Sequence, residues 1–327
     1  MSTEHQTRLL ALFGEKLQSG VGLARYTSAR IGGPADGLLI ARSAEDLADV
    51  VSRLWMAEVP FIMLGAGSNV LISDRGCREV VILNHAKRVE FQPLAEDRTR
   101  CKLWTESGAS FGGIARAAAQ KGWSGIEWAS TVPGTVGGAV VGNAGAFGGD
   151  MNTSLHMASI LQRGNQQVGS NSTAQVARVT AKDLGYSYRS SRLKRERGSG
   201  VVLSAEFLLA SCSPAEALAR VEALSGKRRE TQPPGASMGS MFKNPTGDYA
   251  GRLIEAAGLK GRRIGEAEIS TVHANFFVNT GQAKAADVKA LMDLARSTVH
   301  EQFGVTLEPE VELIGEWGET AVGAQHA

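Results

Sequence analysis

The stretch 124–150 restricts what this chain can fold into more than any other. It holds eight glycines (Gly125, Gly134, Gly137, Gly138, Gly142, Gly145, Gly148 and Gly149), and no charged side chain stands between Glu127 and Asp150. A free linker this rich in glycine is padded with small polar residues. Here the padding is Ala, Val, Trp and Phe, which predicts burial. Glycine buried in quantity means that another group lies against the backbone where a side chain would obstruct it. Two readings stand. One is a tightly packed turn and helix with no ligand. The other is a backbone cradle whose N–H groups face the phosphates of a large cofactor.

A second glycine turn lies upstream. Residues 60–64 read as a short buried strand, followed directly by Gly65, Ala66, Gly67, Ser68, Asn69 and Val70. The dinucleotide fingerprint needs a third glycine opening a helix; Val70 occupies that position, and 70–74 reads as another strand. A P-loop is excluded because no Gly-Lys-Ser/Thr follows. What remains is a Gly-Ser-Asn turn between strands, offering backbone N–H groups and two short polar side chains to an anion.

The whole chain sets wider bounds. It is long enough, at 327 residues, for two domains. Its 39 glycines are about 12% of the chain, against roughly 7% in average usage. A net charge of +2 gives no electrostatic footprint for nucleic acid or membrane. No apolar run approaches the roughly 18 residues of a spanning helix, and 1–8 lacks a signal-peptide apolar core, so a cytoplasmic protein is expected. Cys77, Cys101 and Cys212 form neither a disulfide framework nor a metal pattern.

Hydrophobic spacing predicts helices at 7–17, 44–58, 113–120, 214–227, 250–257 and 284–303, with strands between them. Ser43, Ser110 and Asp248 are expected caps, and Leu218, Val221 and Leu224 an inward face. Breakers at 227–235 place a boundary there. The tail after Gly315 is expected to fray.

Ser240 stands in a glycine-rich turn, 237–245, between breakers. It has no His/Asp partner in the pattern, which argues against an acyl-transfer nucleophile. A hydroxyl held there can deliver a proton to a carbanion, with Lys243 stabilising the alkoxide. Taken alone, Ser240 reads as well as a turn residue bonded to backbone.

Together these stretches resemble the UDP-N-acetylenolpyruvoylglucosamine reductase (MurB) family, over roughly 27–315. The carriers are the 27–36 segment with Arg30, the 65–71 turn, the 133–147 stretch, Tyr188-Arg189-Ser190-Ser191, the 239–245 turn, the 273–276 strand and the 307–315 strand. The resemblance implies an α+β chain. A two-part FAD-binding domain of the PCMH (vanillyl-alcohol-oxidase-like) type would span 1–222, a smaller C-terminal substrate domain 223–316 and a tail 317–327. FAD contacts fall on Arg30, Gly65, Ala66, Gly67, Ser68, Asn69, Val70, Pro133, Gly134, Thr135, Gly137, Gly138, Asn143, Gly145 and Ala146. Ser240 becomes the proton donor, with Arg189 and Glu310 stabilising the substrate carboxylate. Lys243, Asn244, His273 and Asn275 become substrate-binding residues, His273 and Asn275 as contacts or supports. NADPH would reduce the flavin, and UDP-N-acetylglucosamine enolpyruvate would be reduced to UDP-N-acetylmuramate, in a monomer of the shorter type without a Tyr-bearing substrate loop. One departure is Glu312, where many members carry Arg; strand alternation points it the same way as Glu310. Two rivals are a flavin oxidase on the same fold, which has no need of the 239–245 turn, and a catalytically silent nucleotide-sugar binder, against which Ser240, Arg189 and Glu310 argue.

Overall fold

The computed structural model describes residues 3–164 and 174–317. The chain forms two compact units, each built from separated segments: Met1–Leu38, Asn69–Val81 and Gly235–Ala327 in one, Leu39–Ser68 and Ile82–Pro234 in the other. The strands Pro34–Ala41 and Cys77–Asn84 each carry the chain from the first unit into the second. The sequence-expected boundary at 222/223 falls inside one continuous helix, Pro214–Thr231.

The second unit is built on an antiparallel sheet in the order Gln175–Val179, Leu155–Gln162, Gly200–Ser211, Arg100–Glu106, Val89–Pro93, with Trp123–Ser124 paired to the end of the long central strand. Alternation along Gly200–Ser211 sends Ala205, Phe207 and Leu209 into the core, and a register shift between Val202 and Ser204 brings Val202 into the same core. There Phe111 stacks on Phe207 at 5.5 Å and meets Trp128 edge-on at 5.4 Å. Ser110 caps the helix Phe111–Gln120 as expected, accepting from Gly113 N. Ser43 likewise caps Ala44–Met56, while the Asp46 carboxylate reaches back to Arg42 N rather than to Ser43 N. In Pro214–Thr231 the buried stripe is Ala217 and Val221, against Ala119; Leu218 is exposed. Small residues on both helices allow the close approach, so the inward face turns one position from the expected one.

The first unit carries a four-stranded antiparallel sheet, Ala236–Ser240, Phe276–Asn279, Ala267–Ile269, Arg263–Ile264 in that order. The helix Ala285–Phe303 covers it with Val288, Leu291, Met292, Ala295 and Val299, a 3.6-residue stripe. The strand that leaves the first glycine turn, Val70–Ile72, pairs in parallel with the last strand among the described residues, Glu312–Ile314, across a separation of 312 less 70, or 242, residues. Two expectations are corrected. The helix Ala250–Ala256 is capped at Tyr249 without a side-chain bond; Asp248 accepts from Tyr249 N and pairs with Arg252, and Asn244 Oδ1 takes the Ala250 N–H at 3.1 Å. Nor is the chain loose just after Gly315: Glu316 N donates to Gly76 O, and Ser73 Oγ donates to Glu316 O. Residues 318–327 lie outside those described.

Asp74 supplies the cap of the long helix from 211 residues away, Oδ1 accepting Ala285 N at 2.8 Å and Oδ2 Ala286 N at 2.9 Å. A carboxylate on the first N–H groups of a helix satisfies orphan donors and complements the macrodipole. Asp74→Ala is therefore expected to lower unfolding free energy by about 1–2 kcal/mol, read from urea denaturation.

Candidate active site

The two glycine stretches meet in the second unit. A side chain at Gly65 would stand 2.5 Å from Thr135 Oγ1, and one at Gly134 2.7 Å from Ser68 Oγ. Ser68 Oγ donates to the Pro133 carbonyl at 3.3 Å. Each turn thus fills the space that a side chain on the other would need, and Gly134, at φ +113°, adopts a conformation that L side chains avoid.

Thr135 caps the helix Val136–Gly142, its hydroxyl accepting Gly138 N. The next amides are also taken: Val136 N by Ala109 O and Gly137 N by Ser107 O at 2.7 Å. Gly137 is glycine because Ser107 lies 3.0 Å from where its Cβ would be, and Gly149 because the Trp128 ring lies 2.3 Å away. Much of the glycine content thus serves protein packing rather than ligand approach. Around Gly138 and Gly142, in contrast, a Cβ would meet little or nothing. The residues present fit FAD: the backbone stays uncovered there, and 65–70 and 133–146 contain no carboxylate to repel a pyrophosphate.

The C-terminal end of the same helix positions Arg189. Its last carbonyls would be orphans; Tyr186 Oη donates to Val140 O at 2.9 Å and Ser191 Oγ to Val141 O at 2.6 Å. Burial pushes the Tyr186 phenol well above its usual range. Asn143, left-handed at φ +44°, donates from Nδ2 to Ser187 O and accepts Asn152 N. The 186–191 loop is thereby stapled to the helix. At its apex Arg189 is held at φ +55°, with Nη1 donating to Gly145 O at 2.9 Å. The sequence pointed to Arg189, Asn143 and Gly145 but not to Tyr186 or Ser191 as their supports.

Ser240, Lys243, Asn244, His273, Asn275 and Glu310 all belong to the first unit, as do Arg30, Asn69 and Val70. Ser240 lies opposite Phe276 across the sheet, beyond a register shift, and follows Gly239 at φ +79°. Nothing crowds Gly239; its backbone alone requires glycine. The next residues are clamped by Asn275. Its Oδ1 accepts Phe242 N at 3.0 Å, its Nδ2 donates to Phe242 O at 2.8 Å, and its carbonyl accepts Met241 N. Asn275 is thus a support, buried, with its amide engaged on backbone. Met241 O in turn accepts Glu310 N at 2.8 Å, which brings Glu310 beside the Ser240 turn; the strand expected over 307–315 forms only at Glu312–Ile314, so Glu310 precedes it and strand alternation does not pair its direction with that of Glu312. Asn69 Nδ2 donates to Glu310 O at 3.1 Å and Asn69 O accepts Glu312 N, so the side chain and carbonyl of this expected FAD contact hold the closing strand. Lys243 pairs with Glu308 at 3.1 Å. Arg30 is exposed and left-handed at φ +58°; Ala29 O accepts Asn279 Nδ2 beside it.

Ser240 opens into a cavity of about 370 Å³, also lined by Asn244, Tyr249, Arg252, Val272 and His273. Gly251 makes room for the imidazole, since a Cβ there would lie 2.8 Å from Cε1. The ring meets Phe276 edge-on at 5.1 Å. Asn275 N donates to Nδ1 at 3.2 Å, which places the proton of the neutral ring on Nε2. Burial, with Lys260 adding, holds the imidazole below its usual pKa. Neither Tyr249 nor Arg252 stood out in the sequence.

Gly134→Ala is expected to cost about 1–3 kcal/mol through strain at positive φ and to part the two turns. Purified protein should show lower flavin content and a lower urea midpoint. For His273 the folded pKa lies below the unfolded value of about 6.5, so below that pH the unfolded chain binds a proton that the folded one refuses. Its contribution is complete above about pH 6.5 and is lost as pH falls toward the folded pKa. His273→Gln should flatten the fall in urea midpoint on acidification.

The family model for the C-terminal domain of UDP-N-acetylenolpyruvoylglucosamine reductase matches residues 231–314, and one for an FAD binding domain matches 35–164. The reductase of Chloroflexus aggregans is 44% identical over 295 residues, covering 89% of this chain and 95% of the relative. That of Rubrobacter xylanophilus is 42% identical, covering 90% and 94%. The crystal structure of the Thermus caldophilus enzyme (MurB) superposes with a TM-score of 0.73 at 33% identity, covering 91% of this chain and 99% of the other. The chain belongs to the UDP-N-acetylenolpyruvoylglucosamine reductase family.

Proposed function

We propose that this FAD-dependent oxidoreductase reduces the enolpyruvyl group of UDP-N-acetylglucosamine enolpyruvate to UDP-N-acetylmuramate at the expense of NADPH, with Ser240 as the proton donor. The observation that carries the role of Ser240 is its setting: a hydroxyl in a cavity, followed directly by backbone that Asn275 clamps and that Glu310 N bonds. FAD, held by the 65–70 and 133–146 turns, supplies the hydride carrier between NADPH and the terminal enolpyruvyl carbon. Ser240 gives its hydroxyl proton to the adjacent carbon, forming the C–H bond as its O–H bond breaks. Arg189 is assigned the substrate carboxylate, for which a planar, permanently charged, bidentate group suits. Glu310 completes that end of the site, and His273, neutral with its Nε2–H available, is a hydrogen-bond donor toward substrate. Lys243 and Asn244 are assigned supporting contacts.

The same reading takes the enzyme as a cytoplasmic monomer acting on small molecules. A net charge of +2 gives no pull toward nucleic acid or membrane. Among the described residues no helix is long and apolar enough to cross a membrane.

The test separates the two half-reactions without oxygen. NADPH is expected to bleach the flavin, and the enolpyruvyl sugar nucleotide to restore its colour. Ser240→Ala should bleach at the wild-type rate and slow the return of colour by about 10²–10⁴-fold, the usual worth of a positioned proton donor. Colour restored by oxygen alone would favour the oxidase reading.

A further inference from the structure

The cavity that holds Ser240 has a rim the known chemistry does not use. Tyr249 is 68% exposed and Val272 47%, and both line the cavity. An aromatic ring left this open beside a catalytic group is surface that gains from being covered. It is also fixed. Tyr249 stands at the N-cap of the helix Ala250–Ala256, its N–H donating to Asp248 Oδ1 at 2.7 Å and its carbonyl accepting Leu253 N. With the backbone set, only the two side-chain torsions of the ring remain to be ordered on contact with a ligand.

The charges around it are matched. Arg252 directs Nε and Nη2 at the two oxygens of Asp248, and Glu255 pairs with Lys260 at 2.8 Å. The Asn244 carbonyl oxygen accepts Ala250 N, and both amide atoms of Asn275 bond to Phe242. What faces the cavity without a partner of its own is a flat aromatic face, an aliphatic side chain, and the Ser240 and His273 donors. Such a lining offers an apolar face and two hydrogen-bond donors to an uncharged ring. A volume of about 370 Å³ is at the small end of ligand pockets, roughly 300–1,000 Å³, and accommodates part of a sugar nucleotide.

We propose that Tyr249 is the platform for the N-acetylhexosamine ring of the substrate, the C–H face of the pyranose and the N-acetyl methyl lying against the phenol ring, with Val272 closing the edge. The assignment rests on the reductase reading: the sugar bears the enolpyruvyl group directly, so it is the moiety next to the carbons that Ser240 serves. The nucleotide diphosphate then lies outside this cavity.

Tyr249→Ala, Tyr249→Phe and wild type are compared in the anaerobic two-step assay, with UDP alone as competitive inhibitor. Tyr249→Ala is expected to raise KM for the enolpyruvyl sugar nucleotide about tenfold, the scale set by uncovering one aromatic face. The change should be confined to the second step, kcat should stay within about threefold, and the UDP inhibition constant should not move. Tyr249→Phe, which keeps the face, should restore KM to within about twofold. An unchanged KM in Tyr249→Ala overturns the proposal. So does a Phe variant as impaired as Ala, which would make the hydroxyl the contact. Weakening of UDP in step with KM would move the ring to the nucleotide and overturns the sugar assignment. Failure of the wild type to reoxidise with the sugar nucleotide removes the reductase reading itself, before any variant is compared.

Discussion

Much of this structure depends on one six-residue turn. Gly65 and Ser68 interlock with Thr135 and Gly134, so that neither turn tolerates a bulkier backbone at the contact. Directly after them, Asn69 bonds to Glu310 and Glu312, and Val70–Ile72 takes the last strand as its parallel partner. The first half of the turn thus meets the second glycine stretch, and the second half holds Glu310 and the start of the strand Glu312–Ile314. A substitution in these six positions acts on both sets of contacts. This is also why Val70 occupies the position where a dinucleotide fingerprint would have glycine: the residue opens a strand, not a helix.

Backbone strain marks the same regions. Among the described residues the non-glycine positions at positive φ are Arg30, Glu58, Asn143, Phe147 and Arg189. Three of them, Arg30, Asn143 and Arg189, are residues that the sequence alone singles out. Such conformations persist only where the surroundings over-determine them, and the surroundings do so at all three: Arg30 N donates to Thr27 O while its neighbours Ala29 and Ile31 are bonded by Asn279 and Thr27, Asn143 is tied through both amide atoms, and Arg189 stands in a loop stapled by Tyr186 and Ser191. Glu58 has a plainer cause, the reversal after the helix Ala44–Met56, where Val59 N returns to Leu54 O.

What the sequence made legible was local. The Ser43 and Ser110 caps, the stripe of 284–303 and most of the strands follow from short-range pattern, and they stand; the strand expected over 307–315 is confined to Glu312–Ile314. The meaning of the glycines was only half legible. Density of glycine predicted close approach, but at Gly65, Gly134, Gly137 and Gly149 the approaching group is Thr135, Ser68, Ser107 or Trp128, from another part of the chain. Spacing carries no record of such partners. The same limit hid the capping of 285–303 by Asp74, the parallel pairing of 70–72 with 312–314, and the role of Asn275, whose side chain serves Phe242 from 33 residues away. At Asp248 a cap-forming residue stood at the expected place, but it engages Tyr249 N and Arg252, and Asn244 takes the helix's first free N–H.

The rival oxidase chemistry on this kind of fold needs the cradle and has no use for a positioned hydroxyl. That makes the backbone around Ser240 informative. Gly239 is there for its φ, with no neighbour demanding a small residue. Asn275 contributes three hydrogen bonds to the two residues that follow, and Met241 passes a fourth to Glu310. A buried amide engaged on both atoms raises the cost of any other arrangement of this turn, because displacing Phe242 would leave polar atoms unpaired. The turn is therefore held in one geometry, with the hydroxyl at its edge in a cavity beside a neutral imidazole. A serine whose only task was to satisfy a local turn would need none of this. A serine that must present a proton to one carbon of a bound substrate needs its backbone immobile, because a proton donor is effective only within hydrogen-bond reach of the reacting atom.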